Sequence, residues 1–390
     1  MQTNISVSPE ILDWVIANVR MDLLPSKVIE YLELWRRGEK SPTFNQLEKI
    51  SAATRIPFGY FFLKTPPKED LSFVEYRTVD SIELEKPSRE LIDTMHDMDQ
   101  IQEWTHNHLV AEGASKLSFI GSIKEQANTT DFAKHIRELL DIDLSWYKDY
   151  RTAEDAFRFI RASISNLGVI VMMNGIVGNN THRPLNIREF RAFAIVDEYA
   201  PLIFINSNDS INGKLFSLLH EFAHLCIGEN SFFNDRYSTG TKVKAAETSC
   251  NAVAAEILVP NMIFIDSWKS LSKIMEKDKC ISTLSRDFKC GITVIARKAY
   301  DNGLINYTLY QEIAEKAVRL YEDSRQKQKE NGDGGGDFYR TTISRIDNRF
   351  FGMLLNSVYE GKTQYTDAFR LTNTNRSTFS ELSDRIRGDL

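Results

Sequence analysis

Apolar positions fall first into helical spacing, then into short runs of β type, then back into helical spacing. Within residues 8–64, Ile11, Leu12, Trp14, Val15 and Val19 recur at the intervals of one helix face. Gly38 and Pro42 mark a turn, and Thr43 is placed to cap a helix over FNQLEKISAAT. Pro66 and Pro67 close this unit. Three more helical patterns lie between 85 and 165: LIDTMHDMDQIQEWTHNHL, AKHIRELLDI and AEDAFRFIRASISNL. The period then changes. Val169–Met172, AFAIVD (192–197) and LIFIN (202–206) are short apolar runs bounded by Gly, Asn and Pro, which predicts strands. A long helix is predicted over 211–227, ending near Gly228, then a polar loop over 229–242. A second helix over 244–258 stops at Pro260, and 265–325 is helical again. NGDGGGD (331–337) reads as a flexible linker, and one or two further helices are expected in 338–390.

A chain of 390 residues has room for two to three domains. With 42% apolar and 26% charged residues it can fill a real core, which excludes a wholly disordered or collagen-like chain. No apolar run reaches the roughly 20 residues that span a bilayer. The first residues lack the basic, apolar and small-residue zones of a secretory signal, so a cytoplasmic location without a membrane partner is expected. Cys226, Cys250, Cys280 and Cys290 show no CxxC spacing and read as reduced thiols. The net charge of −6 argues against a globally basic nucleic-acid binder but leaves room for a local basic module.

The chemistry lies in SLLHEFAHLCIG. His220 and His224 are four apart, so on a helix their imidazoles project from one face and can bind one metal ion. Glu221 follows the first of them and can reach a water held by that metal as general base. Multiplying residue frequencies gives about 0.01 chance HExxH motifs for this chain. Phe216, Leu218, Leu219, Ala223, Leu225 and Ile227 would bury the helix and keep bulk water from the metal. Zinc needs a third protein ligand. The next helix offers Glu247 near its N-terminal end, where the helix dipole favours a carboxylate, and Glu256 nine residues on. Nine residues turn the helix by about 900°, so only one of the two can face the metal. Cys250 is a softer alternative, better read as a small thiol in packing. Two histidines and a carboxylate accept zinc or manganese.

HEFAHLCIG followed by ETSCNAVAAEILVP resembles the ImmA/IrrE family of zinc metallo-endopeptidases, and REFRAFAIVDEYAPLIFIN is similar to the strand pair before its active-site helix. The resemblance is strong over 150–265. It implies an α+β fold with a zincin-like core, a small sheet packed on the HExxH helix. It also implies Zn2+ held by His220, His224 and Glu247, a gluzincin-like third ligand, with Glu221 catalytic. The implied reaction is metal-assisted amide hydrolysis, in which Glu221 takes the water proton and returns it to the leaving amine. An oxyanion donor is usually needed as well; Tyr237 and Arg236 in the loop between the two motifs and His182 upstream are candidates. The implied substrate is a helix-turn-helix repressor or antitoxin, whose cleavage would relieve repression. The alternative is a non-catalytic regulator or toxin-antitoxin component that binds DNA or a repressor and holds zinc structurally. A nucleic-acid-processing metalloenzyme would need a carboxylate cluster that the sequence lacks.

The stretch LELWRRGEKSPTFNQLEKISAATRIPFGYFFLKTPP resembles the second half of a Cro/repressor-type helix-turn-helix domain, which long members of the family often carry first. The segment between Trp14 and Trp35 is several residues shorter than in those domains, where the DNA-reading pair should lie. Arg36, Arg37, Lys40, Lys49 and Arg55 alternate with Glu30, Glu33, Glu39 and Glu48, a mixed surface and not a basic stripe. DNA is therefore a secondary partner, and docking of another helix-turn-helix protein is the other reading. The expected domains are 1–68 (helix-turn-helix-like, shortened), 69–150 (helical connector) and 151–265 (metallopeptidase core). Beyond them come 266–328 (helical extension), 329–337 (linker) and 338–390 (helical tail). Within the extension, 283–306 has the outline of two helices about a turn at Gly291 and is read mainly as helical packing. In the tail, Arg340, Arg345, Arg349 and Arg370 are expected to be mostly solvated, and Phe350 and Phe351 to be core.

Overall fold

The computed structural model describes residues 5–19, 21, 24–67, 74–77, 87–124, 127–228, 241–331 and 337–388. Its contacts divide into two units, Met1–Leu71 with Glu83–Met95, and Ser72–Ile82 with His96–Leu390.

In the first unit, α1 (Pro9–Asn18), α2 (Ser26–Arg36) and α3 (Phe44–Thr54) precede a 3-10 turn at Phe58–Phe62. Pro9 opens α1, where its missing N–H is no loss. Thr43 caps α3, as the sequence predicts, and Gln46 completes a reciprocal capping box with it. Ile11, Val15, Leu32, Leu47, Ile50 and Phe61 make the core, and Trp35 stacks on Tyr31. Between α1 and α3 the described residues hold one helix, α2, where a helix-turn-helix pair would need two. The arginines here are engaged by carboxylates: Arg36 by Asp13 at 2.6 Å, Arg37 by Glu33 and Glu39, and Arg55 by Glu90.

The second unit is α+β. Its strands are β1 (Val74–Arg77), β2 (Ile170–Asn174), β3 (Ile176–Val177), β4 (Asn180–Pro184), β5 (Ala192–Ile195) and β6 (Leu202–Asn206). Four of them make a mixed sheet in the order β1-β5-β6-β2. Strand β5 runs antiparallel to both neighbours, and β2 parallel to β6, pairing Val171 with Ile203. Every residue of β5 and β6 is buried, the pattern of strands covered on both faces. The helix α4 (Arg89–Ala111) ends within this unit, and α5 (Thr129–Leu140) and α6 (Ala153–Asn166) precede β2. After β6 come α7 (Ile211–Ile227), α8 (Thr241–Leu258), α9 (Asn261–Leu271), α10 (Lys277–Asp287), α11 (Ile292–Asp301) and α12 (Tyr307–Asn331). One core joins the sheet to α5–α8, with Ile203, Ile205, Leu219, Phe222, Val253 and Ile257 at its centre.

The tail holds four helices, more than the one or two expected: α13 (Phe338–Arg345), α14 (Asn348–Tyr359), α15 (Tyr365–Leu371) and α16 (Arg376–Gly388). Short polar interruptions at Asp347, Gly361 and Asn373 divide what reads as one or two apolar periods. Phe350 and Phe351 are fully buried. Arg345 and Arg349 are not solvated as expected. Arg345 donates to Asn179 at 3.0 Å, and Arg349 to the carbonyl of Gly168 at 2.9 Å. Asp347 accepts from the Ser165 hydroxyl at 2.7 Å and the Val171 N–H at 3.2 Å. Arg161 donates to the carbonyls of Val171, Ser344 and Ile346. The N–H and C=O of Val171, on the outer side of β2, are thereby satisfied by side chains. No single helix among the described residues is long and apolar enough to cross a membrane. Residues 332–336 of the expected linker lie outside the described residues.

Candidate metal centre

The helix α7 is fixed at both ends. Ser210 caps its N-terminus, accepting from the Gly213 N–H at 3.1 Å. Asp209, just before the cap, is held by Arg191 at 3.0 and 3.2 Å, and its carboxylate stands directly over the Cα of Gly213. At the other end Gly228 takes the left-handed conformation, φ +59°, that ends many helices. The segment at 121–123 covers that end: the Gly121 N–H donates to the Leu225 carbonyl at 3.3 Å and the Ile123 N–H to the Cys226 carbonyl at 3.0 Å. These bonds satisfy carbonyls that a helix end leaves open.

Between the anchors the whole stretch Leu218–Ile227 is buried. His220 and His224 bring their Nε2 atoms to 3.0 Å. Glu247, from α8, places one carboxylate oxygen 3.4 Å from His220 Nε2 and the other 3.2 Å from His224 Nε2. Three donors at the corners of a tetrahedron around zinc, each about 2.0–2.1 Å from it, stand about 3.3 Å apart. The two imidazole nitrogens at 3.0 Å approach that spacing, and one Glu247 oxygen lies with them within 4.8 Å, so the three donors converge closely enough for one metal ion, and the nitrogen, nitrogen and oxygen donor set suits zinc. Among the described residues this is the group of side chains that converges in the manner of a metal site. Burial pushes the Glu247 carboxyl up, but the His224 and His220 imidazoles and their hydrogen bonds hold it well below the usual carboxylate range. It is thus ionised, as a ligand must be. Glu221 is 1% exposed, one residue on from His220.

The two carboxylates of α8 part as the half-turn argument requires. Glu256 faces away from the histidines, pairs with Lys298 at 2.6 Å and accepts from the Asn261 N–H at 3.0 Å. The helix begins at Thr241, earlier than the pattern suggests, so Glu247 lies in its second turn and the dipole argument for it loses force. Cys250 is fully buried in the hydrophobic core and is not part of the converging group. His182 stands exposed on β4 and is also outside that group. Tyr237 and Arg236 lie outside the described residues. Sequence reasoning missed the Asp209–Arg191 anchor and the approach of Gly121 to Gly228. Both join residues far apart in the chain, and neither leaves a periodic signal.

A buried helix with two imidazoles and a carboxylate on one side, backed by a small mixed sheet, is the form of a metallopeptidase core. Residues 168–300, about a third of the chain, match the peptidase family described as the IrrE N-terminal-like domain. This part of the chain is similar to the ImmA/IrrE family, and the match takes in α9, α10 and most of α11. Residues 346–385 match a family described as a domain of unknown function. No curated protein matches the chain.

Proposed function

We propose that the chain is a zinc-dependent, site-specific endopeptidase. The observation that supports this most is the meeting of His220, His224 and Glu247 donor atoms at 3.0–3.4 Å on the helix that carries Glu221. Zinc, when bound there, supplies Lewis-acid polarisation of a carbonyl and a more acidic water. His220 and His224 would hold it through Nε2, and the Glu247 carboxylate would offset part of its charge. The Glu221 carboxylate takes a proton from the attacking water and returns it to the leaving amine. Its burial keeps bulk water from competing for that proton. By the resemblance stated above, the substrate is a helix-turn-helix repressor or antitoxin in the cytoplasm. DNA stays a secondary partner in this reading, through the first unit, whose Arg36, Arg37 and Arg55 are paired with carboxylates.

The test mixes zinc-loaded protein with the helix-turn-helix protein encoded beside it and follows intact mass, with Glu221→Gln alongside. Discrete cleavage that needs both metal and Glu221 is expected. One equivalent of bound zinc with no cleavage would favour the non-catalytic regulator instead.

A further inference from the structure

The peptidase reading uses three residues of α7 and leaves a fourth on the same face unexplained. At roughly 100° per residue, Ser217 lies about 60° round the axis from His220. That places it between His224, at about 40°, and Glu221, at about 100°, and one turn nearer the N-terminus. Ser217 is 1% exposed, and its hydroxyl has no hydrogen-bond partner among the described residues. A serine within a helix ordinarily bonds the carbonyl one turn back, and a buried hydroxyl without a partner is rare. One further turn back on this face is Gly213, which has no side chain, with the Asp209 carboxylate directly over its Cα. Arg191 neutralises that carboxylate. Ser217 and Gly213 thus follow one another along this face beyond Glu221, and the Asp209 carboxylate over Gly213 is already engaged.

We infer that Ser217 forms the pocket for the side chain of the residue that follows the scissile bond, and that this pocket selects short side chains carrying a hydrogen-bonding group. The inference rests on the peptidase reading and deepens it. Glu221 hands its proton to the leaving amine, so that amine lies against Glu221. The residue to which the amine belongs therefore reaches along α7 past Glu221, on the side away from His224, where Ser217 stands. A buried hydroxyl there stays unmatched under an apolar side chain and is satisfied by a polar one. The pocket is short because Gly213 is covered by Asp209.

The experiment uses the zinc-loaded full chain and a set of hydroxamates. Each carries a metal-binding head followed by one residue: serine, asparagine, alanine, valine or leucine. Binding is measured by calorimetry on wild type, Ser217→Ala and Ser217→Cys, with zinc equivalents and the unfolding midpoint determined for each protein. In the wild type, the serine and asparagine probes should bind about tenfold tighter than alanine and valine. Ser217→Ala should erase that difference at unchanged zinc content, and Ser217→Cys should restore part of it. Equal discrimination in wild type and Ser217→Ala would overturn the pocket and leave the peptidase reading standing. No binding of any probe to protein carrying one equivalent of zinc would overturn both, since the metal would then offer no open position.

Discussion

Replacing Gly228 by alanine tests whether the closed end of α7 holds the metal centre in place. Two separate penalties follow from the structure. The left-handed conformation at φ +59° disfavours any residue with a Cβ by about 1 kcal/mol. A Cβ at this position would also lie closer than 3.0 Å to backbone atoms of Gly121. Backbone cannot swing aside as a side-chain tip can, so the 121–123 segment must retreat. That retreat adds about 1–3 kcal/mol of strain. It also weakens the N–H bonds from Gly121 and Ile123 to the Leu225 and Cys226 carbonyls, each worth about 1 kcal/mol net. The sum is about 4 kcal/mol, a large share of the stability of any domain. Gly303→Ala is the matched control. Gly303 has φ +68° with nothing near its absent Cβ, so only the conformational penalty of about 1 kcal/mol applies. Both proteins would be unfolded in urea with zinc present, followed by circular dichroism, and their zinc retention measured against a chelator. Gly228→Ala should lose several times more stability than Gly303→Ala and release zinc faster. Equal losses would refute the claim that contact with Gly121, and not backbone conformation alone, fixes this end of the helix.

Glu247→Ala should reduce retained zinc well below one equivalent, by atomic absorption, while the circular dichroism spectrum stays that of the wild type. Lys298→Met leaves the Glu256 carboxylate buried without its cation and should cost about 3 kcal/mol in denaturant unfolding, and pairing it with Glu256→Gln should recover much of that loss. Burial pushes the Asp99 carboxyl up to about 6, with His96 pulling it down and Glu103 adding to the rise. A carboxyl raised on folding means the folded state binds the extra proton, so its penalty is absent below the ordinary value of 3.8, grows as pH rises from there to about 6, and is complete above it. Asp99→Asn should therefore gain stability over wild type at pH 8, keep about half of that advantage at pH 5 and lose it below about pH 4.

The parts of the fold that repeat along the chain were readable in advance. The helix Ile211–Ile227, with its Gly228 stop, and the β5–β6 pair announce themselves through the period of their apolar residues. Thr43 marks the start of α3 because a cap is a local interaction. The meeting of Glu247 with His220 and His224 was readable only through resemblance to a family, since two helices separated by a loop carry no periodic clue to their mutual placement. Strand β1 joins β5 across more than a hundred residues, and nothing in Val74–Arg77 distinguishes it from other short runs. Side-chain partners were hidden for the same reason. Arg36 beside Asp13, and Arg345 beside Asn179, are consequences of tertiary folding and not of neighbouring sequence.

The outer side of β2 has a consequence for how the chain survives in a crowded solution. An apolar edge strand with open N–H and C=O groups is a template on which other chains stack. Here Asp347 occupies the N–H of Val171 and Arg161 its carbonyl, so a foreign strand pairing at this residue would have to displace both. Asp347, at the start of the segment 346–385, would thus help to guard this edge against self-association. A chain cut between α12 and α13 should keep its zinc ligands yet gather into aggregates, detectable by light scattering, and a single change at Asp347 to alanine should move the protein part of the way toward the same fate.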